Sequence, residues 1–450
     1  MVEIHEVYLK NRRGFTKQIT HLYVGTYTMK KYLYLQVILL FTAQLAGAQV
    51  IRHCGTHDRY LQAVANDPSL LNRRLQMEEQ IQQWINEGQF QRNNRTGQVI
   101  ITVPVVIHVL YQNATQNISD SQILSQLEVL NDDYGLRNAD TTITPAAFKP
   151  LMSNVQIQFC LADTDPNGNP TTGIERRQVS INRIGNGNRY YNYNQGGLNA
   201  WNSSYYLNFW LCDIDGGSTL GYTYLPGTVN PNQDGIVVDP QYFGTLGTVT
   251  PPFNKGRTVT HEVGHWFNLE HIWADEPNCS ADDYVADTPQ QKGENYGCPS
   301  YPQTNQSGGR CNNTDPSSMY MNYMDYTDDA CMVMFTHGQT ARMQAALNTQ
   351  RSLLFNSTGC SSSTGIKPIN SSIYVNVVPN PSNGIFTFKL QDALTSIEII
   401  ITDIQGRTVV KKSFENNDLK EVNLSNESNG IYFARIITNA GSNVLRLVKN

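Results

Sequence analysis

The chain of 450 residues is long enough for two or three domains, and its formal net charge at pH 7 is −5. This weakly acidic balance gives no support for a nucleic-acid partner, and charged residues make up only 16% of the chain. Its eight cysteines indicate disulfides if the protein is exported, because disulfides persist in oxidising compartments.

A secretion signal is predicted inside the N-terminal region. Residues 1–28 are polar and lack a clear pattern. Met29-Lys30-Lys31 is a short basic segment, and the apolar run that follows it is too short to span a membrane. The small residues Ala46-Gly47-Ala48 then complete a signal peptide over residues 29–48, with a buried internal helix as the alternative. Because a signal peptide stands first in a precursor, we expect residues 1–28 to be a mis-called extension.

Residues 49–95 have the pattern of a short helical segment. Apolar side chains fall at roughly helical spacing from Leu70 to Ile85 among polar neighbours. A polar, basic stretch at residues 91–97 follows and suits activation cleavage. We therefore predict a propeptide. Cys54, which precedes the helical pattern, is a disulfide partner or an inert thiol on this evidence alone.

Residues 96–360 carry alternating strand and helix patterns. The elements predicted in the first half are a central strand at 99–112, a helix at 119–134 and strands at 155–160 and 207–214. Cys160 and Cys212 belong to the last two strands and form either a bridge between neighbouring strands or two buried thiols. Thr336 and Gln339 have the spacing of a capping box that begins a final helix.

The strongest motif is His-Glu-Val-Gly-His-Trp-Phe-Asn-Leu-Glu-His at residues 261–271. His261 and His265, four residues apart, share one face of a helix and can bind one Zn²⁺. Glu262 lies beside the first ligand, where it can act as general base on a water at the metal. His271 reaches the same metal only if the helix ends sharply, and Asn268 tolerates the left-handed turn that this requires.

This motif and a second one about fifty residues later resemble those of zinc peptidases. The first matches the metzincin pattern HExxHxxGxxH, with Asn268 in place of the clan's Gly. The second, residues 322–331, includes Met324. Together they most resemble the pappalysin (cytophagalysin-type) family. The resemblance implies an α+β fold with a twisted mixed sheet and an active-site helix, and a secreted zinc endopeptidase that acts on proteins or peptides.

The resemblance also implies roles for further residues. Met324 would form the Met-turn under the zinc histidines, and Tyr326 would direct its hydroxyl toward the metal or the developing oxyanion. In the family, a propeptide cysteine such as Cys54 can hold the open zinc position and keep the precursor latent. The strand Ile236–Val238 would border the cleft and pair with extended substrate.

Two disulfides and a calcium site are implied in the loop-rich region after His271. The family pattern gives Cys279–Cys311 and Cys298–Cys331, although four cysteines alone allow three pairings. The family also carries Ca²⁺ here, which favours Asp283, Asp287 and Thr288 as ligands. A solvated acidic turn is the alternative for this stretch.

Some family members cleave before Arg or Lys with the help of an acidic residue near the Met-turn. Asp328 and Asp329 are the candidates here, although Ala330 before Cys331 departs from the family pattern. Cleavage before Arg92 or Arg95 would then allow self-activation.

The C-terminal region changes character after a linker at residues 361–372. Residues 373–450 show short alternating strands separated by turns, which predicts a small all-β sandwich. Pro379-Asn380-Pro381 and Gly430-Ile431-Tyr432 are similar to motifs of the type-nine (Por) secretion sorting domain. This resemblance implies a secretion-machinery partner and a secreted or cell-surface location. A carbohydrate-binding or adhesion module is the alternative.

The sequence thus predicts a secreted zinc endopeptidase with no nucleic-acid partner and no stable membrane span. The alternative from another class is a non-catalytic exported adhesin that binds zinc and calcium structurally. Three histidines with Glu262 favour catalysis, because structural zinc is usually closed by four protein ligands. A thermolysin-like site with a distant glutamate as third ligand is disfavoured by His271.

Overall fold

The computed structural model describes most of the chain, namely residues 4–10, 16–22, 51–88, 100–276, 279–304, 308–360, 375–390, 396–403, 407–415, 420–438 and 441–450. The predicted signal peptide, the predicted cleavage stretch at 91–97 and the predicted linker at 361–372 lie outside these residues. The chain divides into two compact units, Met1–Ile51 and Arg52–Asn450.

The first unit contains a β-hairpin. Strands β1 (Ile4–Lys10) and β2 (Thr16–Leu22) pair antiparallel, with Ile4 opposite Leu22. Sequence analysis found no clear pattern in this segment, because short stretches of mixed polar residues carry only a weak strand signal.

The second unit begins with two helices, α1 (Thr56–Asn66) and α2 (Ser69–Asn86), in the predicted propeptide. Helix α2 buries one narrow face, which includes Leu70, Arg74 and Ile81. Ile81 packs against Ala345 and Ala346 of a later helix. The apolar spacing of the sequence marks this attaching face only in part, because Leu71 and Leu75 are exposed.

A mixed sheet of six strands forms the centre of this unit. Its strands are β3 (Ile101–Tyr111), β4 (Ile157–Leu161), β5 (Ile174–Gln178), β6 (Leu207–Leu211), β7 (Gly221–Thr223) and β8 (Ile236–Val238). The order is β4-β3-β6-β8-β7, and β5 also pairs with β3. All pairings are parallel except that of β7 with β8. Residues 103–110 of β3 are buried on both faces, which explains why all of them except His108 are apolar.

Two helices cover one face of the sheet. Helix α3 (Asp120–Tyr134) contacts β4, while α4 (Arg257–Trp266) contacts β7, β8 and α3. Ser119 caps α3 by accepting a hydrogen bond from the Gln122 backbone N–H. A final helix, α5 (His337–Asn348), begins with the capping box predicted for Thr336 and Gln339. This arrangement is the mixed α and β fold that the sequence predicted.

The predicted role of Ile236–Val238 as the cleft-bordering strand is wrong. Strand β8 lies between β6 and β7, so both of its hydrogen-bonding edges are occupied. The edge strand is β7, which the sequence did not reveal because strand order is set by tertiary packing. Any extended segment that joins this side of the sheet therefore pairs with Gly221–Thr223.

The predicted bridge between Cys160 and Cys212 is also wrong, since Cys160 pairs with Cys360 and Cys212 is a buried free thiol. Cys160 belongs to β4 and Cys212 directly follows β6, and strand β3 lies between β4 and β6. Cys160 is opposite Pro104, whereas the end of β6 is opposite Val109, so the two cysteines are separated along the strands as well. In the loop-rich region, Cys279 pairs with Cys311 and Cys298 with Cys331.

The C-terminal region forms two antiparallel sheets. The strands are β9 (Val375–Val378), β10 (Ile385–Leu390), β11 (Ser396–Asp403), β12 (Thr408–Glu415), β13 (Glu421–Asn423), β14 (Gly430–Thr438) and β15 (Gly441–Lys449). The sheets have the orders β13-β10-β9 and β12-β11-β14-β15. Alternating side chains such as Ile397, Ile399 and Ile401 are buried in a common core with Phe386 and Phe388. This is the predicted β-sandwich. Among the described residues, no helix has the length and apolar character needed to cross a membrane.

Candidate metal centre

The turn after α4 brings three histidines together. His261 and His265 lie one helical turn apart, and α4 ends at Trp266. Asn268 then adopts the left-handed conformation predicted for it, with φ of 70°. The Asn268 N–H donates to the His265 carbonyl and the Leu269 N–H donates to Gly264, which closes the helix end. The chain reverses here, and His271 returns to the first two histidines.

The Nε2 atoms of the three histidines face one another at 3.1–3.2 Å. Each Nδ1 atom has an acceptor: the carbonyl of Tyr323 for His261, that of Leu269 for His265, and a carboxylate oxygen of Asp275 for His271. The Nδ1 atoms therefore carry the protons, and three Nε2 lone pairs converge on one point. Such lone pairs repel one another unless a cation lies between them.

The donor set fits zinc. Nitrogens bound tetrahedrally at zinc's usual distance are about 3.3 Å apart, close to the spacing found here. Cys54 Sγ joins the group, and the four donor atoms all lie within 4.8 Å of one another. All four residues are buried. The site therefore offers three histidine nitrogens and the Cys54 thiol as donors for one ion.

Burial also sets the charge of these groups. Burial and the neighbouring histidines lower the pKa of His261 well below its ordinary value, and burial and His271 lower that of His265 to about 3. Both rings are therefore neutral, as metal ligation requires. Burial raises the pKa of Glu262 to about 7. Burial alone would raise the pKa of Asp275, but His271 and His57 lower it well below the ordinary value.

Glu262 points into the space next to the histidines. Its Oε2 atom lies 3.5 Å from Cys54 Sγ and accepts a 3.1 Å hydrogen bond from the Thr56 hydroxyl. A Cβ atom on Gly221 would come within 3.3 Å of the Glu262 side chain. The glycine in β7 thus leaves room for the carboxylate beside the edge strand.

Residues 53–55 lie along the edge strand β7. The Gly55 N–H donates to the Gly221 carbonyl at 2.9 Å, and the Leu220 N–H donates to the His53 carbonyl at 3.0 Å. Cys54 and Gly221 form a parallel bridge. An extended segment of the predicted propeptide therefore occupies the cleft in the manner of an added strand.

Arg52, two residues before Cys54, enters a buried pocket. Its guanidinium donates to a carboxylate oxygen of Asp329 at 2.5 Å and to the Thr327 carbonyl at 3.1 Å, and it lies 4.8 Å from the centre of the Phe253 ring. Asp329 also accepts from the backbone N–H of Lys255 at 2.7 Å. The pocket is built for a guanidinium, because charge, hydrogen bonds and an aromatic face are all present.

The second motif lies beneath and beside the histidines. Met324 is buried, and its sulfur packs so closely on α4 that a Cβ atom on Gly264 would lie 2.6 Å from it. The ring of Tyr326 lies 4.9 Å from that of His271, and its hydroxyl donates to the Cys54 carbonyl at 3.3 Å. These positions are compatible with the roles predicted for Met324 and Tyr326.

The residues predicted to bind calcium have hydrogen-bond partners within the chain. The Thr288 hydroxyl lies 2.8–2.9 Å from both carboxylate oxygens of Asp283, whose pKa is raised by burial. Asp287 accepts from the Thr336 hydroxyl at 2.6 Å and from the Gly338 N–H at 2.9 Å, at the start of α5. The calcium site stays a prediction.

Sequence analysis missed Arg52, Asp275 and Arg342 as parts of this region. Asp275 has a local signal, since it stands four residues after His271, a spacing that allows a contact within one turn. The only sequence signal for Arg52 is its position two residues before Cys54. Arg342 has no signal, because its partners Asn268 and Glu78 are remote in sequence.

Two known protein families match separate parts of this chain. A family model described as pregnancy-associated plasma protein-A, of the peptidase M43 type, matches residues 193–348, and one described as a secretion system C-terminal sorting domain matches residues 376–450. An extracellular metalloprotease of Arthroderma otae is 31% identical over 252 residues, which cover 55% of this chain and 77% of the relative. One from Colletotrichum graminicola is 32% identical over 263 residues, which cover 56% and 78%.

Solved structures of mirolysin from Tannerella forsythia are similar to this chain. Mature mirolysin in complex with a cleaved peptide is 47% identical, covers 57% of this chain and 96% of its own, and superposes with a TM-score of 0.54. A promirolysin variant is 43% identical, covers 68% of this chain and 96% of its own, and superposes with a TM-score of 0.60.

Proposed function

Because this chain belongs to the pappalysin (peptidase M43) family of extracellular metalloproteases and ends in a secretion sorting domain, we propose that it is a zinc endopeptidase with Glu262 as its general base. The observation that carries this proposal is the convergence of three histidine lone pairs beside a buried carboxylate. The peptide in the mirolysin complex supports the choice of peptide substrates.

His261, His265 and His271 would hold the ion. When bound, zinc supplies a Lewis acid for the scissile carbonyl and makes water more acidic. Glu262 takes a proton from the attacking water and passes it to the leaving amine. The Tyr326 hydroxyl, which donates to a propeptide carbonyl in this structure, donates to the substrate's carbonyl oxygen as negative charge develops there.

The latent form depends on Cys54. A thiolate is a good zinc ligand, and Cys54, if bound to the ion, would exclude water and the scissile carbonyl from it. Residues 53–55 also fill the edge of β7 that a substrate would use. The existence of both mature mirolysin and promirolysin among the relatives supports a precursor stage.

Substrates are cleaved before arginine or lysine. The support is the buried pocket that ends in Asp329, which accepts the Arg52 guanidinium in this structure. Arg52 thus marks the pocket into which a substrate's basic side chain fits once the propeptide has left. Asp328, the other predicted acid, is only partly buried and is not the base of the pocket. Cleavage before Arg92 or Arg95 would then release the propeptide.

The second candidate function is a non-catalytic exported adhesin with structural zinc and calcium. One observation favours it: with Cys54, the four donor atoms form a closed set of the kind found in structural sites. Against it stands Glu262, a buried carboxylate beside the ligands that a purely structural site does not need.

The test compares the full chain with its Glu262→Ala variant after removal of the propeptide. We expect the parent to cleave casein and to carry one zinc, and the variant to keep the zinc and lose the cleavage. Glu276→Ala, which changes an exposed carboxylate nearby, is the control and should cleave normally. A parent that binds zinc and cleaves nothing would support the adhesin.

A further inference from the structure

Four charged side chains meet where α2 contacts the turn between the second and third histidines. Arg74 and Glu78, four residues apart on α2, share one face of that helix. Arg74 donates to a Glu270 carboxylate oxygen at 3.1 Å and also to the side-chain oxygen of Asn268. Both terminal nitrogens of Arg342 donate to Glu78, at 2.6 Å each. The helix therefore binds one acidic and one basic residue of the catalytic domain.

Arg342 links this contact to the metal centre. Its side chain is completely buried, and its Nε atom donates to the backbone carbonyl of Asn268 at 2.9 Å. Asn268 is the left-handed residue that allows His271 to return to the metal. Glu78 is the carboxylate that pairs with Arg342 among the described residues, so its departure with α2 leaves the guanidinium free to pair with another nearby acid.

Glu270 is the residue placed to become that partner. It stands two residues after Asn268 and loses its own partner, Arg74, when α2 departs. Tyr284 connects the charges: the Arg342 guanidinium lies 5.2 Å from its ring centre. Burial raises the pKa of the Tyr284 hydroxyl. The carboxylates of Glu270 and Glu78 raise this pKa further, whereas Arg342 and Arg74 lower it, so all four charges lie around one ring.

We propose that removal of the propeptide exchanges ion-pair partners: Glu270 and Arg342, each bound to α2 in the latent chain, pair with one another in the mature protease. Both are then positioning residues, because the new pair keeps Arg342 on the Asn268 carbonyl and so holds the turn that presents His271. The inference rests on the proposed function, since it needs a latent and a mature state. Arg74 and Glu78 act in turn as a second lock, separate from Cys54.

The lock is tested in the full-length chain with Glu78→Gln. Loss of a charge-assisted pair of hydrogen bonds should make peptidase activity appear at least about tenfold faster than in the parent. Final activity per zinc should be unchanged. Glu79→Gln, which alters the neighbouring exposed carboxylate, should activate at the parental rate. Activation of Glu78→Gln at the parental rate would overturn the lock.

The exchange is tested by the rate at which zinc passes to a chelator, before and after propeptide removal, in Glu270→Gln, Arg342→Gln and the double variant. In the mature protease each single change should speed zinc loss, and the double variant should lose zinc no faster than the faster single one. In the latent chain the effects of the two single changes on the rate of zinc loss should multiply in the double variant, because Glu270 pairs there with Arg74 and Arg342 with Glu78. Arg342→Lys keeps the positive charge, so it should lose zinc at a rate nearer to that of the parent. This variant controls for misfolding.

Effects that multiply in the mature protease as well would overturn the exchange while leaving the proposed function intact. A parent that cleaves nothing after propeptide removal would overturn the proposed function and the exchange with it.

Discussion

The Nδ1 atom of His271 lies 2.5 Å from one carboxylate oxygen of Asp275, and the other oxygen of Asp275 lies 3.2 Å from Nδ1 of His57 in helix α1. One carboxylate thus orients the third histidine and also contacts helix α1. The other two histidines donate to backbone carbonyls, so Asp275 is the only side chain among the described residues that fixes a tautomer in this cluster.

The first prediction concerns this orienting contact. Asp275→Asn should lower zinc affinity by about 10- to 100-fold, because an amide holds the His271 ring less firmly and makes its Nε2 atom a weaker donor. Competition with a chelator measures the affinity. Glu276→Gln, in the next position, should bind zinc normally, and an equal loss in both variants would show that Asp275 has no special role.

The second prediction concerns the basic pocket. In the mature protease, Asp329→Asn should reduce kcat/KM for substrates with arginine after the scissile bond. The loss corresponds to about 2–5 kcal/mol of transition-state binding, because the substrate's guanidinium is then buried without its counter-charge. Cleavage of peptides with an apolar residue there should change much less. Asp328→Asn is the control, since this side chain is only partly buried and the Arg52 guanidinium donates to Thr327, Thr258 and Asp329 instead. A uniform loss on all peptides would point to misfolding.

The third prediction concerns latency. Arg52→Ala should weaken the latent state, because it removes a buried ion pair with Asp329 and leaves Cys54 as the main contact in the cleft. Activity should appear sooner than in the parent, as followed with a fluorescent peptide. Arg73→Ala, at an exposed ion pair of α2, should activate at the parental rate. Parental kinetics in both variants would contradict a role for Arg52.

The fourth prediction concerns the long-range disulfide. Loss of the Cys160–Cys360 bridge in the double Ser variant should lower the free energy of unfolding by about 2–5 kcal/mol, since the bridge closes a long loop between residues 200 positions apart. Chemical denaturation under oxidising conditions measures the change. Cys212→Ala, at a buried thiol without a bridge, should cost less than the loss of the disulfide. Equal costs would argue against the bridge.

The local parts of the site were predictable from the sequence. His261, His265 and His271 follow from spacing on one helix and from one turn residue, Asn268, whose left-handed tendency is an intrinsic property. The capping box at Thr336 is likewise local. These features need no knowledge of the tertiary fold.

The remote parts were not predictable. Cys160 pairs across 200 residues, and two cysteines on predicted strands suggested a nearer partner. The edge position of β7 depends on strand order, which the three residues Gly221–Thr223 do not encode by themselves. Arg342 and Asp329 take their roles from partners brought near by folding, so only the structure identifies them.

The most direct test of the metal centre is X-ray absorption at the zinc edge of the full-length latent chain. We predict three nitrogen ligands and one sulfur ligand, and Cys54→Ser should lose the sulfur while keeping the nitrogens. After propeptide removal, the parent should likewise lose the sulfur ligand and keep the three nitrogen ligands. A latent parent without a sulfur ligand would contradict the role of Cys54, and fewer than three nitrogens would contradict the histidine centre itself.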